Sequence, residues 1–146
     1  MKSRKRITVK ESGIHQKGVF ALETIPRGEK IVRYTGRRLT KAQSARSRSL
    51  YLFELNKNCD IDGRNIARYI NHSCEPNCQA EITQGQIWIH ALKDIPKGRE
   101  LTYSYRYSAE EALDYPCLCG SGRCKGYILA EEEWPKLKRA LKRKPS

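Results

Sequence analysis

Three cysteines fall within eight residues, in Cys117-Leu118-Cys119-Gly120-Ser121-Gly122-Arg123-Cys124. Thiolates crowded this closely invite a metal ion, and zinc in structural sites is tetrahedral and thiolate-rich, so a fourth ligand has to come from elsewhere in the chain. Whatever the fold, it must carry a distant segment back to this C-terminal hook. Cys74 and Cys78 are the candidates for the fourth ligand, and Cys59 is left over and reads as a buried thiol. Gly120 and Gly122 allow the backbone to turn sharply around an ion, which a disulfide between neighbouring cysteines does not require. Reduced structural thiols or disulfides are the weaker alternative, because Met1 to Arg6 is basic without the apolar run and cleavage site of a secretory signal.

The rest of the chain reads as mostly β. With 146 residues it fits one domain with short appendages. Short β-rich segments alternate with turn signals: Ile7 to Glu11, Val19 to Ala21, Lys30 to Tyr34, Tyr51 to Leu55, Gln79 to Thr83, Gln86 to Leu92 and Leu101 to Tyr105. Gln84-Gly85 reads as a tight hairpin turn. Thr40 to Ser49 predicts a short polar helix or ordered loop, and Asn65 to Ile70 a helical turn. Beyond Ala130, three glutamates and Pro135 precede a basic run, which predicts a surface helix with charges suited to its dipole. The segment Ala21-Leu22-Glu23-Thr24-Ile25-Pro26-Arg27-Gly28 returns as Ala91-Leu92-Lys93-Asp94-Ile95-Pro96-Lys97-Gly98, and each copy predicts strand, turn and strand. Two copies are too few for a stacked-repeat fold. No apolar run approaches the roughly 20 residues of a membrane-spanning helix, so no membrane association is expected.

The net charge is +13. Ten of the positive charges lie in Met1 to Arg6 and Lys136 to Lys144, leaving only +3 for Ile7 to Pro135. Such tails suit a tether to nucleic acid or another polyanion; solvated tails without a fixed partner are the plain alternative. A basic body also repels a basic substrate, which then needs local acidic contacts or a bridging nucleic acid.

The segment Arg68-Tyr69-Ile70-Asn71-His72-Ser73-Cys74-Glu75-Pro76-Asn77-Cys78 resembles the signature of SET-domain protein-lysine methyltransferases. It is joined, in that family's order, by Gly28-Glu29 leading to Tyr34-Thr35-Gly36, by Tyr51-Leu52-Phe53, by Leu101-Thr102-Tyr103-Ser104-Tyr105 and by the cysteine array. The resemblance covers roughly Ile7 to Leu129. It implies small curved sheets around a knot-like crossing that brings the asparagine-histidine segment beside the tyrosine-bearing one, closed by a post-SET zinc segment. The division it implies is a basic tail (1–6), the SET domain (7–115), the zinc segment (116–130) and a basic C-terminal helix or tail (131–146).

The resemblance also implies the site. Arg68, Asn71, His72 and Tyr105 hold S-adenosylmethionine, with Lys17 and Gly18 in the family's glycine-containing loop; Gln16 stands where a first glycine is usual. Leu129 falls where relatives pack a side chain over the cofactor. Cys74 becomes the partner of Cys117, Cys119 and Cys124 around a structural Zn2+. Arg37 and Ser104 depart from common acidic residues. Tyr34, Tyr51, Tyr103 and Tyr105 match positions lining a lysine channel, with Tyr105 as the essential residue; strand packing is the alternative for any one of them. His72 gains its role from its neighbours, and His15 and His90 are read as structural.

Methyl transfer to an amine is an in-line displacement by neutral lysine, and at a pKa near 10.4 only about one lysine in two thousand is neutral at pH 7. An aromatic channel beside a sulfonium lowers that pKa by desolvation and like-charge repulsion, without a dedicated base. A tyrosine at position 103 implies that the reaction stops at one or two methyl groups. The expected partner is a lysine-containing histone, ribosomal or other basic protein. The small body, without a preceding cysteine-rich segment, leans towards a bacterial or minimal member in the cytoplasm, with the nucleus as the alternative. The rival reading is an inactive zinc-stabilised module that binds nucleic acid or protein on a SET scaffold, but such a module has no need of Asn71, His72 and Tyr105 together.

Overall fold

The computed structural model describes residues 6–122 and 124–143. In chain order its elements are β1 (Ile7–Glu11), β2 (Lys17–Ala21), β3 (Lys30–Tyr34), β4 (Gly36–Thr40), α1 (Lys41–Arg46), β5 (Leu52–Asn56), β6 (Cys59–Gly63), β7 (Asn71–His72), β8 (Cys78–Thr83), β9 (Gln86–Ala91), β10 (Thr102–Tyr103), α2 (Ala109–Ala112) and α3 (Trp134–Arg143), with 3-10 turns at Ile66–Tyr69 and Glu131–Glu133. The strands form four small sheets: the β1-β2 hairpin, β3-β9-β8, β4-β6-β5, and the parallel pair β7 and β10. The mostly β architecture is the one expected, and no described helix is long and apolar enough to cross a membrane.

Alternation along β9 shows how the core is built. Ile87, Ile89 and Ala91 point inwards and are buried, while Gln86, Trp88 and His90 take the outer face. They meet Val19, Ile25, Ile70, Ile95 and Leu101, all fully buried. Each such side chain contributes roughly 1.5–3 kcal/mol by leaving water.

The two copies of the echoed segment pair with each other. Ile25 and Ile95 exchange backbone hydrogen bonds of 2.9 and 2.8 Å, the Gly28 N–H donates to the Ala91 carbonyl, and the Gly98 N–H donates to the Ala21 carbonyl, both at 2.8 Å. Gly28 and Gly98 both have φ of +87°, a left-handed conformation that glycine takes at little cost. The internal echo is thus a local two-fold clasp between the first hairpin and the end of β9.

A second, smaller core holds the C-terminal part. Ala109, Ala112, Leu129 and Leu137 are buried together, flanked by Leu113, Tyr127, Trp134 and Leu141. The run expected as a basic surface helix therefore has a buried side: Trp134, Leu137 and Leu141 lie at helical spacing and pack on α2 and Leu129, while Lys138, Arg139 and Lys142 stay exposed. Residues 1–5, most of the expected N-terminal tail, lie outside the described residues.

Candidate active site and metal centre

The shortest strands position the chemistry. β7 and β10 pair in parallel, with Asn71 opposite Thr102 and His72 opposite Tyr103. Two residues per strand are too few to hold by themselves, and the Ser73 N–H extends the pairing to the Tyr103 carbonyl at 3.3 Å. Side chains complete it: the Tyr105 N–H donates to His72 Nδ1 at 3.0 Å, and the Tyr105 hydroxyl donates to the Ile70 carbonyl at 2.5 Å. Burial lowers the His72 pKa to about 4, so the ring is neutral at pH 7, with its proton on Nε2 because Nδ1 is accepting.

Asn71 is buried, and its Nδ2 faces acceptors: the Lys17 carbonyl and Glu100 Oε2 at 2.9 Å, Ser12 Oγ at 3.2 Å and the His15 carbonyl at 3.3 Å. This set fixes the amide's orientation and leaves Oδ1 for a donor that the described residues do not supply. Glu100 also accepts from the Ser12 hydroxyl at 2.8 and 2.9 Å. A Cβ at Gly18 would sit 2.3 Å from Glu100 Oε2, so the lack of a side chain there makes room for this carboxylate. Glu100 has no signal of its own in the sequence; it lies just before the tyrosine segment, and only its spatial position against Asn71 makes it a candidate. Gln16, where a glycine was expected, adopts φ of +32°, a conformation that suits glycine better.

The tyrosines line up through a phenylalanine. Ring centroids run from Tyr34 to Phe53 at 5.1 Å, Phe53 to Tyr103 at 6.1 Å, Tyr103 to Tyr105 at 5.0 Å, Tyr105 to Tyr107 at 5.8 Å and Tyr107 to Tyr115 at 5.1 Å. The Tyr34 hydroxyl donates to the Tyr51 carbonyl at 2.6 Å. Burial, reinforced for Tyr34 by the Asp62 carboxylate and for the others by neighbouring phenols, raises the pKa values of Tyr34, Tyr103 and Tyr105, and pushes Tyr107 up to about 12. All four are neutral phenols at pH 7. Tyr107 was not singled out from the sequence, although the alternation Tyr103, Tyr105, Tyr107 signals it.

Tyr51 stands apart from the row. Its ring meets Tyr69 edge-on at 5.8 Å, and the Arg68 guanidinium lies 4.8 Å from the Tyr51 ring and 4.7 Å from the Tyr69 ring. Arg68 also donates to the Tyr69 hydroxyl at 2.5 Å, and the Lys17 ammonium is 5.5 Å from the same ring. Lys17 and Arg68 thus share one aromatic support. Leu129 is buried in the second core, where it packs against residues that hold the C-terminal segment.

Cys74, Cys117, Cys119 and Cys124 converge, with all four sulfurs within 4.8 Å of one another. The Cys74 and Cys117 sulfurs are 3.8 Å apart, far beyond a disulfide bond. A tetrahedron with arms of about 2.3 Å has edges of about 3.8 Å, so the set suits Zn2+. Burial raises the Cys74 and Cys117 pKa values, whereas in Cys119 hydrogen bonding from the Ser121 hydroxyl and the backbone outweighs burial and brings the thiol to about 6. Cys78 is elsewhere, buried in the main core, with its pKa raised to about 12 by burial. Cys59 is half-buried, not the buried thiol expected. Because Cys74 lies two residues after His72 and its sulfur is 3.7 Å from His72 Nε2, the four-cysteine cluster adjoins the crossing directly.

The comparisons with known proteins bear on this arrangement. Residues 16–106 match the SET domain family. The chain is 38% identical to the "Histone-lysine N-methyltransferase, H3 lysine-4 specific" of Chaetomium globosum and 39% identical to the protein of the same description from Kluyveromyces lactis, over 87% of this chain and 14% of each relative. The Saccharomyces cerevisiae protein so described is 38% identical over 87% of this chain and 13% of its own length. The chain thus spans about one seventh of the length of these curated relatives. Among solved structures, a chain of a humanized mutant of the Chaetomium thermophilum Polycomb Repressive Complex 2 bound to the inhibitor GSK126 aligns with a TM-score of 0.65 and 31% identity, over 70% of this chain and 15% of that one. These relatives are fungal, and the lean towards a bacterial member gains no support from them. The family match spans more than half of the chain and includes Gly18, the Asn71-His72 segment, Tyr103 and Tyr105, so this chain belongs to the SET domain family.

Proposed function

We propose that this chain is the catalytic unit of an S-adenosylmethionine-dependent protein-lysine N-methyltransferase acting on a histone tail, with lysine 4 of histone H3 as the first candidate. The observation that carries this reading is the Tyr105 hydroxyl fixed on the Ile70 carbonyl at 2.5 Å, beside Tyr103 and directly across the crossing from Asn71-His72.

S-adenosylmethionine, when bound, supplies an electrophilic methyl group. The residues that would hold it are Lys17, Gly18, Arg68, Asn71, His72 and Tyr105. The Asn71 Oδ1, which has no donor among the described residues, suits an ammonium, and this agrees with the amide orientation set by Lys17 and Glu100. The aromatic row Tyr34, Phe53, Tyr103 and Tyr105 would receive the lysine side chain, excluding water from its alkyl stem. Desolvation there favours the neutral amine. His72 Nδ1 is already engaged by the Tyr105 N–H, so the ring is not available as a base through that atom. Tyr105 then orients the nitrogen, which favours the near-attack geometry. Tyr51 supports Arg68 at the rim, and Leu129 seats the C-terminal segment.

Zinc in the four-cysteine cluster would clip that segment to the crossing, a structural role with every ligand position filled by protein. Mono- or dimethylation, a nuclear or chromosomal setting, and polyanion contact through Lys138, Arg139 and Lys142 belong to the same proposal. The histone assignment draws on the descriptions of the fungal relatives.

The test is transfer of labelled methyl from S-adenosylmethionine to an H3 tail peptide and to the same peptide with its fourth residue changed to arginine, using zinc-replete protein and Tyr105→Phe side by side. Label on the first peptide alone, and only with unaltered protein, is the expected result. Cofactor binding with no label on any histone would defeat the substrate assignment, and no cofactor binding at all would favour the inactive-module reading.

A further inference from the structure

The charge of the body is unevenly spread. Residues 27–48 hold eight basic side chains against Glu29 alone, a net +7, so the rest of Ile7 to Pro135 is net −4. Arg33, Arg37, Arg38, Arg46 and Arg48 are all exposed, and among the described residues none meets a carboxylate. α1 lies near the end of this stretch, buries no residue and has no acid in its first turn. Folding gains nothing from concentrating unpaired arginines in one stretch of chain; their mutual repulsion opposes it.

An aromatic surface adjoins Arg33. Trp88 lies on the outer face of β9, opposite Arg33 on β3, and the Lys30 ammonium stands 5.1 Å from its ring. Arg33 and Arg38 line one small cleft of about 60 Å³, closed by Gly85 and Gln86, with no acidic residue in its walls. Arg38 is held there by donating to the Gly85 carbonyl at 3.3 Å. The neighbouring acid, Glu81, lies opposite Trp88 on β8, with its carboxylate 3.2 Å from His90 Nε2.

We propose that the β3-β4 surface, with Trp88, is a binding surface for single-stranded nucleic acid, in which Arg33 and Arg38 hold a phosphate and an unstacked base lies on Trp88. Flanking cations and a flat aromatic ring are the two components of such surfaces, one for the backbone and one for the base. A duplex offers only its phosphates to this face, because its bases are already stacked, so the presence of Trp88 favours a single strand. Trp88 is on the opposite face of β9 from Ile87 and Ile89, and of the aromatic row only Tyr34 borders the cleft beside Arg33 and Arg38, so the proposal does not draw on methyl transfer.

The test uses the full chain with Trp134→Phe, which leaves Trp88 as the one tryptophan. Oligo(U) and oligo(dT) of about 16 nucleotides are titrated at several salt concentrations while fluorescence and anisotropy are read. Binding with quenching of Trp88 is expected. Arg33→Glu with Arg38→Glu should weaken it about tenfold or more and reduce the salt slope by about 1.4, two single-strand phosphate contacts at about 0.7 each. Trp88→Leu should remove the quenching and weaken binding, whereas Lys138→Glu with Arg139→Glu should leave the quenching in place. Unchanged unfolding temperatures exclude a folding defect, and Arg33→Gln with Arg38→Gln replaces the reversal if it misfolds. Comparison of the two oligomers separates RNA from DNA. Binding without quenching, equal competition by duplex, loss only in the α3 variant, or equal quenching by polyglutamate would each overturn the proposal, the last in favour of an acidic peptide.

Discussion

The Asn71 amide nitrogen lies 2.9 Å from Glu100 Oε2, and the same carboxylate takes the Ser12 hydroxyl. One acid therefore ties the loop after β1 to the crossing of β7 and β10 and decides which way the Asn71 amide faces. Glu100→Gln keeps the shape but introduces an NH2 group that competes with that of Asn71. Buried hydrogen bonds to a charged partner contribute about 1.5–3 kcal/mol. We expect S-adenosylmethionine to bind about tenfold or more weakly by calorimetry, with zinc content unchanged. Wild-type affinity in this variant would show that Glu100 does not orient Asn71.

How much of this was legible in the sequence varies with the physics of each element. The alternation in β9 and the tight Gln84-Gly85 turn were readable because a half-buried strand writes its period into its residues. β4 and β6 were not. Gly36-Arg37-Arg38-Leu39-Thr40 turns its arginines to solvent, and Cys59-Asp60-Ile61-Asp62-Gly63 is poor in strand formers; it holds its place because Asp60 pairs with Lys41 at 2.5 Å and Gly63 lies under the Tyr34 ring. β7 and β10 have two residues each, and their parallel pairing is tertiary and leaves no local pattern. The one-turn helix α2 does leave one: Ser108 and Glu111 form a capping box, a signal local to the sequence. At the site, the cysteines and tyrosines were readable as residue types at spacings, whereas Glu100 and Phe53 acquire their roles only through contacts across the fold.

Tyr105→Phe removes the hydroxyl from the Ile70 carbonyl while keeping the ring between Tyr103 and Tyr107. The loss to stability should be about 1–2 kcal/mol, the usual cost of one buried hydrogen bond and its abandoned acceptor. Turnover should fall about a hundredfold or more, because orientation of the amine depends on that phenol. Labelled-methyl transfer and thermal unfolding measured on the same sample separate the two effects; a loss of turnover matched by global unfolding would remove the catalytic argument.

Cys119→Ser takes one thiolate from a cluster whose other sulfurs are too few to complete a tetrahedral thiolate site. Bound zinc should drop well below one ion per chain by elemental analysis. Since Cys74 adjoins His72, the crossing should loosen as well, with weaker cofactor binding and faster proteolysis near α2 and α3. A chelator applied to the unaltered protein should reproduce both changes, and insensitivity to chelation would mean that the cluster does not depend on metal.

Gln16 holds a left-handed backbone, φ of +32°, in the loop that carries Lys17 and Gly18. A side chain in that region costs roughly 1–2 kcal/mol, partly offset in a glycine variant by the greater freedom of the unfolded chain. Gln16→Gly should therefore raise stability by up to about 1 kcal/mol in denaturant titrations, with cofactor affinity equal or better. A clear destabilisation would show that the glutamine side chain makes a contribution larger than the strain.

Tyr103 lies within the aromatic row and is buried as a residue, yet its hydroxyl finds no acceptor among the described residues. A phenol in that position occupies room and offers a hydrogen bond to whatever enters the channel, a water or the substrate nitrogen. Tyr103→Phe deletes one oxygen at little cost in packing, since the ring contacts with Phe53 and Tyr105 survive. An amine already carrying methyl groups then has the space to rotate into line for another transfer. Mass spectrometry of the product peptide should show one or two methyl groups with the unaltered protein and a shift towards the next higher state with the variant. An unchanged distribution at comparable turnover would mean that product state is limited elsewhere in the channel.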